Sequence, residues 1–131
     1  MNEPIFVTRE RVDGLHQRSL EEHGGQAGLR NENGLESALA QPMQVFFYGQ
    51  GYLFDLAAAY AYHLAENQPF IDGIKRTAIT TALAFLELNE VSTSALTDAE
   101  LYEVMIAIAE KRLNKAGVAA VFRQRLKLPG P

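Results

Sequence analysis

The chain of 131 residues contains no cysteine, which excludes disulfides and thiolate metal sites and fits a reducing compartment such as the cytoplasm. It has no basic excess either. The formal net charge of −4 argues against a general nucleic-acid binder, which needs a basic face. Apolar runs of the roughly 20 residues that cross a bilayer are missing. The start, MNEPIFVTRE, has no basic region followed by an apolar stretch, so no signal peptide is expected. Repeats, low-complexity tracts and linkers are lacking too. What remains is ordinary for a globular protein, 47% hydrophobic and 21% charged. The expectation is one soluble cytoplasmic domain over residues 1–131, with no membrane and no direct nucleic-acid partner.

The stretch that is present and unusual is Asn67-Gln68-Pro69-Phe70-Ile71-Asp72-Gly73-Ile74-Lys75-Arg76-Thr77. It is a polar turn between two very apolar segments, Asp55–Glu66 and Thr77–Leu88, each with apolar residues on more than one helical face, as buried helices have. Asp-Gly is a turn and cap signal, so the second helix is expected to begin near Gly73 or Ile74. Lys75 and Arg76 then fall in a first turn whose unpaired N–H groups already carry partial positive charge. A bound anion, most simply a phosphate, makes that arrangement favourable. The plainer alternative is a solvated Lys-Arg pair on a helix capped by Asp72.

The rest reads as mostly helical. Thr8 caps a helix to about Glu22, with Val12, Leu15 and Ser19 on one face, and Gly24-Gly25 stops it. A short helix, Leu35–Ala40, is expected to halt before Pro42. Met43–Tyr52 lacks a helical period, and its Val45-Phe46-Phe47-Tyr48 run reads as a strand or hairpin. Thr97-Asp98-Ala99-Glu100 is a capping box for a helix to about Arg112, with Leu101, Val104, Met105 and Ile108 inward. Asn114 caps a last helix. The fold class is all-α with one small β element.

These residues carry a resemblance. Gln68–Ala78 resembles the signature of the Doc branch of the Fic/Doc (Fido) superfamily, His-x-Phe-x-Asp-Gly-Asn-Lys-Arg-Thr-Ala. Gly28-Leu29-Arg30, Leu35–Pro42, Phe54–Tyr60 and Phe85–Asn89 resemble further blocks of that family in the same order, so the likeness covers roughly residues 5–112. It implies a helical bundle with a β-hairpin flap. Members move AMP, or in Doc toxins the terminal phosphate, onto a protein hydroxyl such as one on a translation factor, and for this chain the expected regulator is a separate antitoxin chain. The motif His takes the proton of the attacking hydroxyl. By the same resemblance Asp72 holds Mg2+, Gly73 and the helix start cradle phosphate, and Lys75 and Arg76 neutralise charge during transfer. Phe70 anchors the loop, and Val45, Phe46 and Phe47 form the flap that binds a target strand.

Two positions depart from the signature. Gln68 stands at the motif His, and an amide can hydrogen-bond a hydroxyl but cannot take its proton. Ile74 stands at the phosphate-contacting Asn and offers no donor. The expectation is a degenerate toxin-family protein, impaired in transfer but able to bind phosphate. Two alternatives stay open: an active nucleotide-dependent transferase without a His base, and a non-catalytic protein-interaction module. His63 lies one turn before the loop and reads as a core histidine, while nothing in the sequence brings His16 or His23 near the loop. The inhibitory Ser/Thr-x-x-x-Glu-(Gly/Asn) motif of some family members is not found at either end.

Overall fold

A computed structural model describes residues 2–130, which form six helices: α1 (Arg9–His23), α2 (Glu32–Phe47), α3 (Leu53–Asn67), α4 (Ile74–Leu88), α5 (Asp98–Ala109) and α6 (Lys115–Arg125). The all-α expectation holds. α3 is the axis of the bundle, packed by α2, α4 and α6 and touched by α5. Its Leu56–Ala61 segment is completely buried, and four of those six residues are alanine. These small side chains let neighbouring helices approach α3 closely along this segment. Tyr60 is the largest buried side chain in that segment, and its hydroxyl accepts from the Val7 N–H at 2.9 Å. Burial pushes the Tyr60 phenol up to about 12, so it stays a neutral structural group.

Helix starts follow their capping residues closely. Thr8, Asn31, Thr97 and Asn114 each accept from an amide of the following first turn. α5 ends at Ala109, three residues short of the expected Arg112, and Lys111 beyond it adopts a left-handed conformation with φ 62.

Residues 43–48 depart further from the expectation. There is no hairpin. α2 runs through Pro42 and ends only at Phe47, so Val45, Phe46 and Phe47 are helical. Leu35, Ala38, Leu39, Pro42 and Val45 are all buried, a spacing of three and four that continues one apolar helical face. That burial outweighs the one backbone hydrogen bond that proline cannot donate. Phe46 packs edge-on to Phe6 at 6.2 Å, while Phe47 is 61% exposed. Capturing a target by strand addition needs a free strand edge, and a helix end has none. Among the described residues the β structure is a single antiparallel bridge elsewhere, between Leu29 and Phe70.

α4 also carries an energetic liability. Thr77 and Thr81 are fully buried, and their hydroxyls have no hydrogen-bond partner among the described residues. An unpaired buried hydroxyl costs about 1–3 kcal/mol. Thr81→Val removes it at nearly unchanged shape, so the variant is expected to be more stable by about 1 kcal/mol in chemical denaturation.

Candidate functional site

The polar turn between α3 and α4 is held by the loop that follows α1. Arg30 N–H donates to Pro69 O at 2.7 Å, Asn31 N–H to the same oxygen at 3.1 Å, and Ile71 N–H to Gly28 O at 3.1 Å. Asn67 Nδ2 ties the end of α3 to Gly34 O at 2.9 Å. Phe70 is 3% exposed and anchors the turn in the core. Its ring stacks on His16 with centroids 3.8 Å apart. His16 Nε2 lies 2.8 Å from Asp72 O, and since a carbonyl only accepts, that nitrogen carries the hydrogen. His16 is therefore at the centre of the loop's support, although nothing in the sequence brings it near the loop. Its place on the inward face of α1, four residues after Val12 and three before Ser19, was the available signal.

Gly73 is the N-cap of α4 and adopts φ 77, a left-handed conformation that glycine takes without strain. No side chain caps this helix, and no acidic residue sits in its first turn. The amides of residues 74–76 precede the first possible intrahelical acceptor and point out of the helix end. Asp72 is not the cap: its Oδ2 accepts from the Gln26 N–H at 2.7 Å. Lys75 and Arg76 are exposed, and neither forms an ion pair among the described residues.

Gln68 ends α3 with φ 46, and its Oε1 accepts from Arg30 Nη1 at 3.1 Å. Gln68 and Lys75 line a cavity of about 280 Å³ whose apolar wall includes Ile74 and Ile108 and whose rim holds the Lys111–Glu66 ion pair. Ile74 is half-buried and packs against the core, the contact its side chain favours where a polar one would face a ligand. On the other side of Lys75, a shallower groove runs past Asp72, Gly73 and Arg76 to Tyr102 and Met105 on α5. Two sides of the helix start are therefore open.

His63 is not part of this site. Its Nε2 lies 3.2 Å from Lys115 Nζ, so the neutral ring accepts from the ammonium. Burial, and then the Lys115 charge, push His63 down to about 4. Between the ordinary value of 6.5 and about 4 the unfolded chain binds a proton there that the folded chain does not. Stability from this group is present above pH 6.5 and is lost as pH falls toward 4. His63→Gln is expected to flatten that part of the stability–pH curve measured by denaturation.

The sequence profile of the Fic/DOC family matches residues 6–86. The chain is 34% identical over 100 residues to Toxin Doc of Mycolicibacterium smegmatis, covering 74% of this chain and 77% of that protein. It is 26% identical over 119 residues to Protein kinase doc of Escherichia phage P1, covering 90% of this chain and 93% of the relative. The matched region runs from the loop-supporting face of α1 through the glycine-opened start of α4, and with these relatives it shows that the chain belongs to the Fic/DOC family, on its Doc side.

Proposed function

We propose that this protein is a Doc-type member of a toxin–antitoxin pair that retains nucleotide binding at the start of α4 and has lost most of its capacity for transfer. The observation that carries the reading is the uncapped α4 terminus. It has Gly73 in a left-handed conformation, no acid in the first turn, and two exposed, unpaired cations beside the free amides. All of these favour an anion of high charge. The relative named Protein kinase doc favours ATP as that nucleotide and its terminal phosphate as the group once moved to a protein hydroxyl. A protein target such as a translation factor and a separate antitoxin chain complete the proposal. No helix among the described residues is long and apolar enough to cross a membrane.

Asp72 is the residue that would hold magnesium. One of its oxygens is committed to Gln26, which leaves the other for a cation. No cluster of three metal-binding side chains exists among the described residues. That suits Mg2+, which commonly takes one or two carboxylates and completes its shell with phosphate oxygens and water. Bound there, the ion would neutralise phosphate charge. The chain's own contributions are the amides of 74–76, the Lys75 and Arg76 charges, and a loop fixed by Phe70 and His16. None of these accepts a proton from a hydroxyl, and Gln68 cannot. Impaired transfer with retained binding follows.

Calorimetric titration of Mg-ATP tests the proposal. Wild-type protein is expected to bind, and Lys75→Ala to bind at least about tenfold more weakly, the loss of one charge-assisted contact. Equal binding by both proteins, or none by the wild type, would contradict it.

A further inference from the structure

The position at which the family carries its base is built here as a hydrogen-bond donor. A guanidinium has five N–H donors and no acceptor. The side-chain amide of Gln68 can therefore meet Arg30 only through its oxygen, as it does at 3.1 Å, and its NH2 group is what remains. Both residues issue from fixed backbone. Arg30 N–H is bonded to Pro69 O, the residue next to Gln68, at 2.7 Å. Gln68 holds φ 46, a conformation an unbranched polar residue adopts only at some steric cost. The cavity that Gln68 lines also receives Lys75, so a polar ligand there meets a cation and an amide side by side.

We infer that Gln68 is a ligand for the nucleotide's phosphate, donating from its NH2 to a phosphate oxygen, and that Arg30 is the positioning residue that sets this orientation. The inference rests on the proposed phosphate site at α4 and extends it. In a histidine-bearing relative the same position removes a proton. Here it supplies one more hydrogen bond to the bound nucleotide, which strengthens ground-state binding and does nothing for the attacking hydroxyl. Arg30 acts through the amide. Its own charge is spent on Gln68 Oε1.

Calorimetry with Mg-ATP on the full chain tests this with Gln68→Met, Arg30→Met, the double variant, and Lys75→Ala. Gln68→Met is expected to weaken binding about tenfold, the loss of a hydrogen bond to a charged group. Arg30→Met should weaken it by several-fold on its own and have no further effect in the Gln68→Met background. Equal weakening by Arg30→Met in both backgrounds means that Arg30 acts through its charge alone and overturns its positioning role. Wild-type affinity in Gln68→Met overturns the ligand role, and a simultaneous loss in Lys75→Ala then leaves the phosphate site standing. Absence of binding by the wild type removes both.

Discussion

Gln68→His combined with Ile74→Asn is expected to raise transfer from ATP to a protein hydroxyl by about 10²–10⁴-fold, the usual contribution of a positioned general base. The backbone is ready for it. Gln68 sits at φ 46, a region histidine enters more readily than most residues, and Gly73 in its left-handed conformation opens α4 with no side chain capping the first-turn amides. Arg30 is exposed, so its guanidinium can turn to solvent when an imidazole replaces the amide. Ile74→Asn exchanges an apolar contact with the core for a polar group at the phosphate, so a modest loss of stability accompanies the gain. Gln68→His alone should recover part of the rate, because the base rather than the Asn supplies the proton transfer. The readout is labelled phosphate or nucleotide on protein in a cell extract, with folding checked by circular dichroism. A folded but inert double variant would sink the account of a toxin that lost its base.

Phe70→Ala is expected to destabilise the protein by about 3–5 kcal/mol, a large share of the 5–15 kcal/mol that holds a typical domain together. The side chain is 3% exposed and stacks on His16 at 3.8 Å, so its removal leaves a cavity under the loop and unseats the ring that holds Asp72 O. Two segments depend on it, residues 67–73 directly and residues 28–31 through the Leu29–Phe70 bridge and the Pro69 carbonyl. Nucleotide affinity should therefore fall together with stability. Phe70→Leu keeps more of the volume and should cost less than half as much. Urea denaturation measures both variants, and a loss below about 1 kcal/mol for Phe70→Ala would mean that the loop is held by its hydrogen bonds and not by this anchor.

The helices and their caps were legible because each depends on a few neighbouring residues. Thr8, Thr97 and Asn114 act within one turn of where they stand, and the burial of α3 is written in its alanines and leucines. Residues 43–48 misled because β-branched and aromatic residues favour strands only weakly, while Val45 is drawn into a face begun ten residues earlier at Leu35. The site divides in the same way. Asp72, Gly73, Lys75 and Arg76 fall within five consecutive positions, and their charge pattern at a helix start is a local signal. The supports of the loop are not. His16 reaches Asp72 across 56 positions, Gln26 reaches it across 46, and Arg30 reaches Gln68 across 38. No periodicity or spacing encodes such pairings; they appear only when α1 and its following loop are laid against α4. His63 shows the converse, since it is close to the motif in sequence and is committed to Lys115 in space.

If the binding half of a phosphotransfer site survives at the start of α4 without its proton-transfer half, Mg-ATP engages the first-turn amides there and no transfer accompanies it. Backbone amide NMR during a Mg-ATP titration reads the proposed main-chain N–H ligands themselves, which ordinary side-chain substitutions leave in place. Saturable shifts concentrated at Gly73, Ile74, Lys75 and Arg76 are expected, with no phosphorylated or nucleotidylated protein formed in parallel. Shifts confined to other parts of the chain, or none at millimolar nucleotide, would contradict it.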